Sequence, residues 1–533
     1  MNVLSNAGHR PALALTLLSG TTLVSATLFG LADPTPASAD QQFLKHGSLV
    51  VSSSIYDNTQ GAVAALKVGS TLANTNTATT QAIAGNNYVQ VWNNDSVDGS
   101  FGVTSAIQLT DIDLSNGKVF RSMQVPTDQV VTSFSSKSEL GLHVVGNWPR
   151  VSVVFVGYGT AASANGLNPP AVGVGLLDVS NSDAVAGQDP TNPVTFAFTT
   201  PGKPYAFRRT IVSVDEKANI AYTPTDNYGG NNGRSALLGS NGLYYTVGNA
   251  NNGNAKTFGS GNGTNPDVTQ TTGLEVVTPL GSSVVNTTIA SATSAEVDPS
   301  IQRDFPPAKP DKPGKDNNYR GITEFGGALF FTKGSGGNGI DTVYTVAAPN
   351  SLPTLPTLAS AASSTINVVP GFPTDPATDG GNFTPFAVFF ANPTTMYVTD
   401  EGSGNSLDTS SNAGLQKWIL GSNGSWQLQY VLKKGLIGVV DSNVTGSDGP
   451  WPAITTVGLR NLTGRINGDG TVTLWATTST SSTSGDNGAD PNKVVEITDQ
   501  IAATQLSQVG NESFTTVAGP VYRTVFRGVG FVE

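Results

Sequence analysis

A hairpin phrase that recurs along the chain limits what it can fold into more than any other feature. Arg320-Gly-Ile-Thr-Glu-Phe325, a Gly-Gly turn and Ala328-Leu-Phe-Phe-Thr-Lys333 make one copy. Phe386 to Phe390 with Thr395 to Asp400 make a second, and Gly458 to Ile466 with Thr471 to Thr477 make a third, joined by Asn467-Gly-Asp-Gly470. Arg234 to Leu238 with Leu243 to Val247 match, and Glu139 to Tyr158 fits more loosely. Leu415 to Leu420 and Trp426 to Leu432 form a further hairpin. Short apolar or alternating runs separated by Gly/Asn turns are the pattern of antiparallel strands. A Gly/Asn/Ser-rich loop and a third strand follow, such as Thr342 to Val346 or Val494 to Thr498.

The copies open near 320, 386, 460 and 527, about 70 residues apart, and units of that length that cannot bury their own faces stack as a β-propeller. Gly47 to Ser52 reads as a second strand without its first, and Phe526 to Phe531 as a first strand without its second. Pairing the two would close the ring and leave no exposed edge. The expectation is an all-β, single seven-bladed β-propeller over 40–533, closed by its N- and C-terminal strands. Six blades is the alternative, because 198–250 reads equally as one blade or two.

Residues 1–39 read as a signal peptide, with Arg10, an apolar run from Ala12 to Leu31 and Ala37-Ser-Ala39 as the cleavage pattern. The expected product is secreted, extracellular or periplasmic, a monomer, with no membrane span after cleavage. The chain of 533 residues has no cysteine, which excludes disulfides and thiolate chemistry. Its three histidines exclude a polyhistidine metal site. A net charge of −11 excludes the basic surface a nucleic acid needs. Charged residues are 12% of the chain, about half the usual ~25%, so Ser, Thr and Asn supply much of its polarity.

Further phrases span nearly the whole chain: Asp98-Gly-Ser-Phe-Gly-Val-Thr104, Thr132-Ser-Phe-Ser-Ser-Lys-Ser-Glu139, Lys312-Pro-Gly-Lys-Asp316, Tyr397-Val-Thr-Asp-Glu-Gly402, Thr463-Gly-Arg-Ile-Asn-Gly-Asp-Gly470 and Phe526-Arg-Gly-Val529. In these the chain resembles exported, largely uncharacterised lactonase-like β-propeller proteins. The resemblance implies a fold and no settled activity, because propellers host many functions.

If each first strand starts at the top of the ring, Arg234, Arg320, Arg460 and Arg527 line the upper channel, with Lys333 in a neighbouring loop. Guanidinium groups there could grip a carboxylate or sulfate of a glycan, or could pair with acids of the next blade and hold the ring together. Trp92, Trp148 and Trp451 lie in Asn- or Pro-flanked stretches and are candidate sugar platforms. Asp486, Asn487 and Asp490, and Asp226 with Asn227, carry oxygens at spacings that suit Ca²⁺, the only cofactor the sequence suggests. Asp400 and Glu401 could add to a metal site or act as an acid–base pair. His143 and His46 lack any serine-hydrolase elbow around them. The leading expectation is a secreted, non-catalytic binding or scaffold protein that recognises a glycan or polyanion on its top face. The alternatives are a Ca-dependent hydrolase or lyase, and a structural surface or matrix protein.

Overall fold

The computed structural model describes residues 42–65, 71–73, 79–81, 103–160, 174–175, 209–225, 227–228, 232–249, 256–257, 269–283, 292–298, 317–334, 339–346, 354–374, 383–404, 412–446, 449–484 and 487–533. The signal-peptide reading and Trp92, Asp226 and Asp486 lie outside them.

The described residues fold into four-stranded antiparallel units arranged as a β-propeller. The second unit runs His143–Asn147, Arg150–Gly159, Arg209–Asp215 and Ile220–Thr225. The third is Gly233–Leu238, Tyr244–Gly248, Gly273–Val277 and Ser294–Glu296. The fourth is Ile322–Phe325, Ala328–Lys333, Thr342–Val346 and Ile366–Val368. The fifth is Pro385–Asn392, Thr395–Asp400, Gly414–Leu420 and Trp426–Leu432. The sixth is Ile454–Ile466, Thr471–Ser481, Val494–Gln500 and Thr515–Ala518.

The closing unit takes its first strand, Thr524–Phe531, from the C-terminal end and its second, Leu49–Ile55, from the N-terminal part. Thr104–Asp113 and Lys118–Gln124 complete it. Its register runs antiparallel from Leu49 opposite Phe531 to Ile55 opposite Thr524, which is the expected pairing of the two ends. Each first strand packs against the first strands of its two neighbours in one cycle through these six units. Of the two blade counts expected from the sequence, the described residues display six. The units opening at 143 and 233 are spaced more widely than those that define the ~70-residue period. The ambiguous stretch 198–250 divides between units, its first part giving the outer strands of the second and its second part the inner strands of the third.

Strand alternation builds the core between units rather than within them. Side chains on successive strand residues face opposite ways. Val153 and Phe155 join Val50 and Leu109 of the closing unit, while Val154 and Val156 join Ala236 and Val277 of the third. Leu329 and Phe331 pack toward Leu237 and Tyr245, whereas Phe330 meets Phe390 of the fifth unit. Tyr397 and Leu415 meet Leu459 and Leu474, and Trp475 meets Leu49 and Val529. Each junction thus has its own apolar cluster, and each large side chain removed from water contributes about 1.5–3 kcal/mol.

A hydroxyl stitches the inner junctions. In four of the units the position after the apolar triplet of the second strand donates to a main-chain carbonyl of the next unit: Thr332 to Phe386 (2.6 Å), Thr399 to Arg460, Thr477 to Arg527 (3.0 Å) and Ser52 to Leu140 (2.9 Å). The same closeness explains two glycines that follow arginines. A Cβ at Gly321 would run into the Phe386 carbonyl, and one at Gly528 into that of Leu140.

Candidate functional site

The four carbonyl acceptors in these stitches mark one repeat position, in or just before the first strand of a unit, and the hairpin phrases extend it to the other two. Around the ring it is held by Leu140, Arg234, Arg320, Phe386, Arg460 and Arg527. All four arginines of the sequence analysis therefore gather at the inner end of the units, where the first strands begin. They are 2–7% exposed, so their guanidinium groups are wall material as much as surface.

Between the fourth and sixth units the charges compensate. Glu401, just after the fifth unit's second strand, accepts from Arg320 Nη1 on one oxygen and from Arg460 Nε on the other (3.2 Å). Burial pushes the Glu401 carboxyl up, but the charges of Arg320 and Arg460, with Lys137, outweigh it and hold the group below its ordinary range. The planar guanidinium of Arg320 also lies 5.4 Å over the Phe386 ring, which fills the gap the missing fifth arginine would occupy. Arg527 is anchored to Ser54 Oγ (3.2 Å) and to the carbonyls of Phe134 and Gly488. Lys333, fully buried, pairs with Asp341 Oδ1 at 2.6 Å.

Between the third and fourth units the balance differs. Arg234 Nη1 donates to Asn318 Oδ1 and to the Tyr319 carbonyl (3.0 Å). Burial, and then the neighbouring charge of Arg320, draw the Arg234 guanidinium down to about 9, against opposing pulls that include Glu139. Glu139 itself is taken by Thr132 Oγ1 (2.9 Å), Ser133 N (3.2 Å) and the Tyr158 hydroxyl. Burial raises its carboxyl.

Several expected site residues take structural positions. Asp400 accepts from Thr384 N and Oγ1, Gly402 N and Gln416 Nε2, so its oxygens close the loop after the strand. Glu401 is clamped by two guanidinium groups, so the two carboxylates turn to different partners. Asp490 Oδ1 receives Ser482 Oγ, Ser484 Oγ and Trp451 Nε1 at 2.6–3.0 Å. Trp451 is 2% exposed and edge-on to Tyr522, so its face cannot serve as a sugar platform. Asn227 is buried, its Oδ1 accepting from Thr271 and Ser294. Asn487 approaches Gly404 of the fifth unit's loop and stands beside Asp490 in its own. Trp148 lies in the turn between the first and second strands of the second unit, at the opposite end from the arginines, partly buried and edge-on to His46.

Glu139, Asp341 and Lys137 were not among the expected site residues. Glu139 carried a readable signal: it directly precedes Leu140, in one of the two units that lack an arginine at the ring position. Among the described residues no group of three or more His, Cys, Asp or Glu side chains could hold a metal ion, and no helix is long and apolar enough to cross a membrane.

No protein-family model matches the chain, and no curated protein matches it. Among solved structures, a Bombyx mori GH32 beta-fructofuranosidase mutant in complex with sucrose aligns at 11% identity and a TM-score of 0.29. That alignment covers 69% of this chain and 60% of the enzyme, under two thirds of its length. A mutant of AofleA from Arthrobotrys oligospora aligns at 9% identity and a TM-score of 0.27, over 76% of this chain and 92% of that one. A protein from Lactobacillus plantarum aligns at 9% identity and a TM-score of 0.28, over 81% and 98%. Function is therefore read from the chain's own residues.

Proposed function

We propose that this is an exported, non-catalytic binding propeller whose arginine-bearing face recognises an acidic glycan. The observation that carries the reading is the placement of charge. A chain with 38 acidic and 27 basic residues concentrates Arg234, Arg320, Arg460, Arg527 and Lys333 at one end of its inner strands. Guanidinium groups held in a low-dielectric wall favour carboxylate and sulfate partners through paired, charge-assisted hydrogen bonds. Every oxygen of Asp400 and Glu401 already accepts from a neighbouring donor, which supports binding over catalysis.

The test is co-sedimentation of the purified protein with insoluble polygalacturonate and with neutral cellulose, with mass spectrometry of the supernatant. The reading predicts protein in the acidic pellet only and no new products. Released oligosaccharides would make the protein an enzyme, and equal pelleting with cellulose would remove charge from the recognition. Export is proposed from residues 1–39, and a mature N-terminus near residue 40 in the culture medium is its check.

A further inference from the structure

We propose that Arg234 and Arg320 form a seat for one small anionic group, a carboxylate, at the junction of the third and fourth units. The inference rests on the binding-face reading above and names the part of the ligand that the face takes.

Four arginines at one repeat position allow an internal comparison of the same atom. Arg460 Nε donates to Glu401, and Arg527 Nε donates to Ser54. Arg234 Nε and Arg320 Nε are equally buried and have no acceptor among the described residues. The amide Nδ2 of Asn317, three residues before Arg320, is a third buried donor without an acceptor. Buried polar groups in folded proteins are satisfied with few exceptions, and an unmet donor on a charged group is the costliest of them. The two carboxylates whose charges act on Arg234 are engaged elsewhere: Glu139 with Thr132, Ser133 and Tyr158, and Glu401 with Arg320 Nη1 and Arg460. Among the described residues the junction therefore carries two guanidinium groups and three buried N–H donors without acceptors. A planar monoanion supplies the missing acceptors, because its oxygens match the spacing of guanidinium N–H groups. The Arg320 side chain keeps 8% of its surface open to solvent. The carboxylate could come from a uronic acid residue of the glycan or from a free anion, and the chemistry of the seat is the same for both.

The test uses the full purified chain at constant ionic strength and reads the melting temperature and calorimetric binding. D-galacturonate, its neutral twin D-galactose, and sodium acetate are titrated against the wild type, Arg234→Gln, and Arg234→Lys, which keeps the charge without the Nε donor. Galacturonate is expected to raise the wild-type melting temperature by several degrees and galactose not at all. Arg234→Gln should weaken binding at least tenfold while its own melting temperature stays within a few degrees of wild type, with Arg234→Lys intermediate. If Arg234→Gln fails to fold, Arg234→Lys decides alone. Acetate acting as well as galacturonate assigns the seat to a free anion, and galacturonate acting alone assigns it to the glycan. No response of the wild type to either acid, or equal responses in wild type and variants, overturns the seat. Polygalacturonate pelleting that survives in Arg234→Gln removes the seat and keeps the glycan reading. An Arg234-dependent acetate response without any pelleting does the reverse.

Discussion

Two neighbouring stretches of the inner ring use the same residue at the same repeat position to different ends. On the side of the fifth and sixth units, Arg320 and Arg460 close on Glu401 and become a clamp across three units. On the side of the third unit, Arg234 stands beside Arg320 with no carboxylate bonded to it among the described residues, and the Nε donors of both remain unmet there. The difference comes from one acidic residue in one loop. A buried guanidinium with a carboxylate partner is architecture, and the proposed seat lies where the partners are neutral.

The largest test of this contrast is Glu401→Ala. Removing one member of a buried ion cluster leaves uncompensated charge and costs about 3–5 kcal/mol, read as a fall in the urea midpoint. A loss under about 1 kcal/mol would mean that the clamp does not hold the ring. Next comes Thr477→Val, at a junction outside both regions: the Arg527 carbonyl keeps its second donor, Asn461 Nδ2 (2.8 Å), but the buried Asn461 N–H loses its acceptor, and about 1–3 kcal/mol is expected from that unmet donor. A similar loss in Thr399→Val, at the clamp itself, would show that the stitches act alike around the ring.

The third test is a pH profile. His143 touches Ser235, the residue after Arg234, and burial draws its imidazole down to about 4 from an ordinary value near 6.5. The fold holds it neutral, so its contribution to stability is complete above pH ~6.5 and is lost as pH falls from there toward 4. His143→Gln should flatten that part of the stability profile, and an unchanged slope would mean that the imidazole is solvated. The smallest stability effect is expected for Arg234→Gln. It removes an under-compensated buried charge, and unfolding free energy should change by no more than about 1 kcal/mol in urea. A loss as large as that of Glu401→Ala would erase the distinction between the two regions.

The propeller was legible because its signals are local. The apolar triplets ending in Thr332, Thr399, Thr477 and Ser52 are visible as phrases, and their spacing carries the repeat. The terminal closure followed from two unmatched half-hairpins, Gly47 to Ser52 and Phe526 to Phe531. The blade count was less legible, since a period measured on the fourth to sixth units does not apply to longer ones. The tryptophans misled for a different reason. Trp451 sits among polar and proline residues, yet it packs inward because Asp490, 39 positions later, accepts its indole N–H. Trp148 was a platform candidate from its Asn- and Pro-flanked stretch, and the antiparallel hairpin puts it at the end of the ring opposite the arginines.

Sequence periodicity was enough to dictate strands, turns, a ring and arginines at its inner end, because alternation and turn chemistry act over a few residues. Which arginine is paired and which is left with open donors depended on Glu401 and Glu139, which approach from other units. Charge compensation between residues 59 to 95 positions apart is set by how the units pack, and only the folded ring decides it.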